Sequence, residues 1–592
     1  MFRAAAWQTA AWQTAAWRAT TGLVLALCLT ACSDSGPGRA VSADTDLAGT
    51  AAADSINSSS SDSHTGGAVT WAISAPIDNW NLFTRSGDTF DAHQVLGAVY
   101  PSAFTVNPSY TVTLNSDLLD SANQTSTSPQ TIVYRIKSSA AWSDGTPITV
   151  DDFDYAWRAQ SADPAAVSTI GYSRIASITG SDHGKTVTVV FAKPFADWKS
   201  LFSTLYPAHI AKQHGDIAAA SAWFAANAPT VSGGPFSLAA LSADHTSVTL
   251  DRNTHYYGPA AQLDKVVFRV VTGPAQQAAA LRDGTVDGIY PQPQSGLIDT
   301  IKTMGAAVAY HIDSGLEVEH IDFNLKNATL GGKPWSNTLR TAMFTAFDRD
   351  DVLAKTIQRI QPTAVPLDNR MLVRNQAGYQ DNLTKHGLGT GDAARARKSL
   401  TAAGFTNAAL GGRLTAPDGT VIPALSLKYP MGNQIRQAES ELFAADAARL
   451  GITVNVSPTD NLGATLAQSG GAYRYDLIAY SSTASAFPSA ADQAAYTTGG
   501  AGNFGGYSNA RVDRWLNDAA LSDEDQGASS QSAVTDYLNK ADDQISQDAY
   551  SLPIFQWPAL IAFSPKLGNV RDNVTELGPT YNLRQWTWVR PT

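Results

Sequence analysis

The ten histidines stand at 64, 93, 183, 209, 214, 245, 255, 311, 320 and 386, and no two have the i, i+2 or i, i+4 spacing that puts two imidazoles on one metal. His209 and His214 are five apart, with no cysteine or paired acid nearby to complete a zinc set. His-Glu-x-x-His, Gly-x-Ser-x-Gly and Ser-x-x-Lys patterns are absent, so no catalytic residue, metal or cofactor is expected. Gly180-Ser181-Asp182-His183-Gly184-Lys185-Thr186 imitates a phosphate loop, but that loop needs four residues between its glycines and three are present. The segment lies between two strand-like runs, which predicts a hairpin turn instead.

One side chain does invite covalent chemistry. Leu29-Thr30-Ala31-Cys32 closes an apolar stretch from Gly22 to Ala31 that follows Arg3 and Arg18, with no acid in the first thirty-two residues. This is the layout of a secretory signal peptide. Its end resembles a bacterial lipobox, so residues 1–31 are expected to be removed and Cys32 to carry the lipid. Residues 32–67 are rich in Ser, Ala, Asp and Gly and lack aromatic residues, which predicts a disordered tether. A flexible coil of that length holds the body on the order of 30 Å from the membrane. Loss of the signal also removes Cys28, the other of the two cysteines, so no internal disulfide is expected. The Ala-Trp-Gln-Thr-Ala repeat at 6–10 and 11–15 has a period of five, which matches neither helix nor strand, and it plays no part in the fold reading.

The elements that must position any site follow from Ala68 onward. The chain has 592 residues, 44% of them hydrophobic and 16% charged, enough for two or three domains with large cores. Its formal net charge of -11 argues against a nucleic-acid partner, and no run of 18 apolar residues suits a membrane span. Strands are expected at 69–73, 131–137 and 185–192, and a helix at 151–160. Ser336 is the expected N-cap of a helix whose Leu339, Met343 and Phe347 line one face. Asp392 and Gly404 bracket another helix. Between Ala424 and Val456 a strand, a helix and a strand follow one another, which requires a right-handed crossover and a parallel sheet. Tyr475 to Tyr480 is the next strand, and the C-terminal edge of that sheet is the expected ligand edge.

The run Trp142-Ser143-Asp144-Gly145-Thr146-Pro147-Ile148-Thr149-Val150-Asp151-Asp152-Phe153 resembles the signature of the family 5 extracellular solute-binding proteins, the dipeptide, oligopeptide and nickel receptors of ABC importers. Gly233-Gly234-Pro235-Phe236, Arg252-Asn253-Thr254-His255-Tyr256-Tyr257, Leu281 to Asp287, Phe323-Asn324, Asp348-Arg349, Ala403-Gly404-Phe405 and Tyr507 to Asp513 match that family in order. Tyr100 to Phe104, Pro207 to Ile210 and Val231 to Phe236 are similar to its actinobacterial branch, which includes a mycobacterial lipoprotein linked to phosphatidylinositol mannosides.

The resemblance implies an α/β, periplasmic-binding-protein-like fold of class II, with two lobes closing on a hinge. Lobe I would span 68–315 with 555–592 returning to it, lobe II 316–554, and the hinge strands would lie near Leu316–Phe323 and Leu552–Trp557. It implies ligand contacts from Ile77, Asn79 and Trp80 in lobe I and from Asn324, Tyr480, Ser482, Thr483, Ala484 and Ser485 in lobe II. Peptide-binding members carry an aspartate for the peptide ammonium where this chain has Ala484, so a neutral, polyhydroxylated or blocked ligand is expected, helped by Ser481-Ser482-Thr483. The expected partners are a peptide-like solute, ABC permease and ATPase subunits, and the membrane through the Cys32 anchor. The protein is expected to act as a monomer on the outer face of the cell membrane. A mannolipid-binding accessory role is the alternative within binding proteins, and a secreted hydrolase the alternative outside them.

Overall fold

A computed structural model describes residues 63–589, apart from 164–165, 167–168, 468–473, 522–527 and 574. The signal peptide, Cys32 and most of the expected tether lie outside the described residues. The tether expectation is corrected at its end. Ser63 and His64 form a short strand paired with Val589 and Trp588, and the amide of Gly66 donates to the carbonyl of Gln262 at 2.7 Å. Backbone pairing with the C-terminus therefore orders this stretch without an aromatic residue of its own.

Ten strands build the central sheet: β1 (Ala68–Ile73), β2 (Phe236–Leu241), β3 (Ser247–Arg252), β4 (Lys265–Val270), β5 (Gly288–Ile289), β6 (Ala309–Phe323), β7 (Leu425–Pro430), β8 (Val454–Thr459), β9 (Leu477–Thr483) and β10 (Ser551–Phe563). Their spatial order is β8-β7-β9-β6-β10-β5-β1-β4-β3-β2. The strand-helix-strand expectation is met: β7 and β8 are parallel, with Leu425 opposite Val454, and helix Gln434–Ala448 connects them. β1 runs parallel to β4, and Gly288 of β5 approaches the Trp71 ring so closely that a Cβ there would lie 2.0 Å from it.

A separate four-stranded antiparallel sheet, Leu119–Thr127, Gln130–Ile136, Thr186–Phe191 and Ile175–Ser181, packs in the first lobe. The last two of these strands are the arms of the expected hairpin at Gly180–Thr186, whose Asp182 and His183 take positive φ in the turn. Thr149 caps helix Val150–Ala162 through a capping box with Asp152. Asp152 also accepts from the Trp142 indole at 3.3 Å and from the amide of Ala208 at 2.9 Å, so the Trp142–Phe153 run ties a turn, a helix and a neighbouring segment together. Helix Ser336–Ala346 forms as expected, but Ser336 is its first residue and Trp335 precedes it as the cap. The Ser336 hydroxyl donates to the carbonyl of Thr329 at 2.8 Å and accepts from the amide of Lys333, which tightens the preceding loop.

Two main cores separate along the sheet. One gathers Val69, Trp71, Trp142, Phe153, Phe202 and Phe268 with Ile561, Leu567 and Trp586 from the chain's end. The other gathers Ile321, Phe323, Phe344, Phe443 and Leu477 with Leu552 and Phe555. Strands β6 and β10 run antiparallel from one core to the other, Ala309 opposite Phe563 and Asp322 opposite Ser551. Their register shifts between Ser314 and Val318 and again between Glu319 and His320, which concentrates local twist where the lobes meet.

Candidate functional site

Strand β6 passes between the lobes carrying more charge than a buried strand tolerates without partners. On the face toward helix Gln434–Ala448, Glu319 is fully buried and receives a bidentate pair from Arg436, Nε to Oε1 at 2.9 Å and Nη2 to Oε2 at 2.9 Å. The Trp557 indole of β10 donates to the same carboxylate at 2.6 Å, and the Arg436 guanidinium lies over that ring at 5.4 Å. Arg436 Nη2 also donates to Ser481 Oγ at 2.7 Å, and Ser481 donates on to Glu317 Oε2 at 2.9 Å. Glu439 lies fully buried beside this network with neither carboxyl oxygen hydrogen-bonded. Burial first, then the adjacent Glu319 charge, pushes its carboxyl well above the usual range.

The opposite face carries Val318, His320 and Asp322. His320 Nδ1 lies 2.8 Å from Asp322 Oδ1, the Tyr480 hydroxyl donates to Asp322 Oδ2 at 3.1 Å, and the His320 and Tyr480 rings meet edge to face at 4.3 Å. Burial alone would raise the Asp322 carboxyl, yet His320 and the Ser551 and Tyr480 hydroxyls outweigh it and hold the group below its ordinary value. His320 Nε2 is buried, and among the described residues no hydroxyl hydrogen-bonds to it.

The first lobe reaches this face through Tyr110, at the tip of the Phe104–Val106 and Val112–Leu114 hairpin, with φ 59°. Tyr110 is 6% exposed and clusters with Val318, Leu367 and Val373, and Ala484 and Ala486 pack against that cluster. Its hydroxyl is buried without a partner. Hydrogen bonds join the lobes around this contact: Asn375 Nδ2 to the Pro108 carbonyl at 3.3 Å, the amide of Ala196 to the Ala520 carbonyl at 3.1 Å, and Arg174 Nη2 to Gln493 Oε1 at 3.4 Å. Asp197 Oδ2 accepts from the amide of Ala490 at 2.8 Å, so a first-lobe carboxylate serves a free N–H in the first turn of helix Pro488–Tyr496 in the second.

The expected ligand residues divide. Tyr480, Ser482, Ala484 and Ser485 come together along the end of β9 and the loop after it; Ala484 donates its amide to the Leu316 carbonyl, and Ser485 accepts from Gln376 Nε2 through its carbonyl at 3.0 Å. Thr483 is exposed beside them. Ile77 and Trp80 are 4% exposed in the first core, and Asn79 spends its amide on a turn with Thr84, Ser86 and Asn81. Asn324 is a correction. It is fully buried, its Nδ2 donates to the Tyr475 carbonyl at 2.9 Å and its Oδ1 accepts from the amide of Lys326, so it has a structural task and no face for a solute. Ser481 is likewise taken up by Arg436 and Glu317. Sequence reasoning did not find Tyr110, Asp197, Arg436 or His320. The acids at 317, 319 and 322, alternating with Val318 and Ile321 in a strand, were the available signal for part of this set.

A family model described as bacterial extracellular solute-binding proteins, family 5, middle, matches residues 113–505. The oligopeptide-binding protein OppA of Mycobacterium tuberculosis is 27% identical over 566 residues, 93% of this chain and 90% of that protein. The probable monoacyl phosphatidylinositol tetramannoside-binding protein LpqW of the same organism is 35% identical over 192 residues, 31% of this chain and 30% of that one. Among solved structures, the periplasmic EDTA-binding protein EppA superposes with a TM-score of 0.79 at 32% identity, covering 90% of this chain and 98% of its own. The oligopeptide-binding protein AppA from Bacillus subtilis, solved with a nonapeptide, gives 0.63 at 18% identity over 89% of this chain and 100% of its own, a likeness of fold.

Proposed function

Because the chain belongs to the bacterial extracellular solute-binding proteins of family 5, we propose that it is a lipid-anchored receptor that captures a peptide-like solute between its lobes and delivers it to an ABC permease with its ATPase. The family comprises binding receptors, and the relatives above are binding proteins rather than enzymes. The observation that carries the reading is the junction itself, where polar atoms from both lobes, Tyr110 Oη, His320 Nε2 and Asn375 Oδ1, are buried without partners. Each such group costs about 1–3 kcal/mol unless something polar meets it, and a solute enclosed at closure would supply that partner.

The chemistry of the solute follows from what lines the second lobe. Ala484 packs against the cluster that holds Tyr110 and offers no carboxylate, and the nearest acid, Glu317 opposite Thr483, is already engaged by Ser481 and Arg436. A free ammonium placed at Ala484 would have no counter-ion there, which favours a ligand that is neutral or blocked at that end. The Cys32 anchor would hold the receptor on the extracytoplasmic face of the membrane, working as a monomer.

Native mass spectrometry of protein purified from its own host tests this reading. A bound neutral or N-blocked peptide-like solute is the expected result. A tightly held peptide with a free amine would refute the Ala484 argument, and a mannosylated lipid would replace the transport reading by the mannolipid-binding one that the LpqW likeness favours.

A further inference from the structure

Outside the cleft, the first lobe brings together three side chains with metal-ligand chemistry. His93 Nε2 lies 2.7 Å from Asp88 Oδ1 and 3.7 Å from Glu576 Oε2, and one ligand atom from each residue falls within 4.8 Å of the other two. A cation bound at 2.0–2.2 Å by a tetrahedral set separates its donors by about 3.4 Å. The His93–Asp88 and His93–Glu576 separations fall on either side of that edge, so modest shifts of these side chains would seat an ion.

Each donor stands on a fixed support. Asp88 ends a turn in which its amide donates to the Thr84 carbonyl at 3.0 Å and the Thr84 hydroxyl donates to the Asn81 carbonyl at 2.8 Å. His93 sits one turn into helix Phe90–Leu96, which Thr89 caps by accepting from the amide of Ala92. Glu576 precedes Leu577, whose methyl group fills the space beside Gly97 at the end of that helix, 2.3 Å from where a Cβ would stand. The Leu577 carbonyl accepts from the Thr580 amide and hydroxyl, which fixes the loop. Asp88 and His93 come from the start of the lobe and Glu576 from the chain's return, so no local spacing of histidines announces the set.

Charge and ligand type narrow the occupant. Two carboxylates face one imidazole, and the imidazole is only 15% exposed, so the cluster carries excess negative charge at a half-buried place. One nitrogen and two oxygen donors suit zinc and its first-row neighbours better than calcium or magnesium, which prefer six or more oxygens or retained water. Three protein donors leave a coordination position for water or another ligand. We propose that Asp88, His93 and Glu576 bind one divalent transition-metal ion of the zinc class, which clips the C-terminal return to the first helix of the lobe. This site is independent of what the cleft holds.

The test uses the full-length protein without an affinity tag, stripped with a chelator and dialysed, and titrated calorimetrically with zinc chloride alone. One equivalent of zinc should bind, and cobalt chloride should give visible absorption of a four- or five-coordinate ion. His93→Gln should weaken zinc binding by more than about 100-fold, beyond the range for loss of an outer-shell partner. Zinc should raise the melting temperature of the wild type and leave that of His93→Gln unmoved. Glu576→Gln changes a side chain that is 65% exposed and should leave the fold intact while weakening zinc at least about 10-fold. No stoichiometric zinc binding, or the same affinity in Glu576→Gln as in the wild type, would overturn the proposal and reduce the cluster to an ion pair with a neighbouring acid.

Discussion

Replacing Asp197 by asparagine should strengthen lobe closure at neutral pH, although it removes a charge from a helix N-terminus. Asp197 is 1% exposed, and burial raises its carboxyl from 3.8 to about 6 against the opposing effects of the Ala490 amide, the Ser489 hydroxyl and the Arg174 guanidinium. If separation of the lobes returns it to its ordinary value, closure binds a proton. The closed state is then most favoured below about pH 4, loses ground as pH rises through about 6, and is constant above that. Asp492, the neighbouring acid, is also driven well above its usual range, by burial, then by Asp542 and Asp197. Two pKa units correspond to about 3 kcal/mol, an upper bound for the ionised carboxylate's cost at neutral pH. Asparagine keeps an oxygen to accept from Ala490 without that cost. The expected gain is therefore about 1–3 kcal/mol, or roughly 5- to 150-fold in the closed-to-open ratio. Alanine would also remove the cost but would leave the Ala490 amide unserved, at about 1–3 kcal/mol, so Asp197→Ala should be near neutral. Small-angle scattering of the ligand-free protein between about pH 4 and 8 reads the radius of gyration of each variant. An Asp197→Asn protein no more compact than wild type at neutral pH, or one retaining the wild-type pH dependence, would refute the reasoning.

Other outcomes are more direct. Cys32→Ala should move the protein from the membrane fraction to the soluble one, as read by fractionation and immunoblot; continued tight anchoring would contradict the lipid attachment. Arg436→Met should lower stability by about 3–5 kcal/mol, because Glu319 would be left buried beside Glu439 without its bidentate partner. A denaturation midpoint within error of wild type would show that the network relaxes at little cost.

The sequence was most legible where neighbours in the chain are neighbours in space. The Gly180–Thr186 turn, the Thr149 cap and the β7, helix and β8 unit each depend on residues a few positions apart. Ser336 misled because a serine before an apolar face satisfies the capping pattern, while here its hydroxyl serves the loop behind it. The candidate site was less legible. Arg436 reaches Glu319 and Ser481 across three separate segments, and Asp197 finds Ala490 from the other lobe. No local pattern encodes pairs formed only by tertiary folding. Asn324 shows the converse, a family-like position whose polarity serves the backbone of a distant loop.

Strands β6 and β10 set the order in which the molecule can be finished. The chain leaves the first lobe along β6, builds the second, and returns along β10, so the core begun by Trp71 lacks Ile561, Leu567 and Trp586 until the last residues arrive. Trp586 meets Trp71 with ring centroids 4.8 Å apart, joining opposite ends of the described chain. During vectorial export the second lobe has all its core residues first, whereas the first lobe waits with an open apolar face. Nascent chains halted before β10 should therefore expose the older lobe to proteases and chaperones while the younger one awaits only Leu552, Ile554 and Phe555 of its buried core.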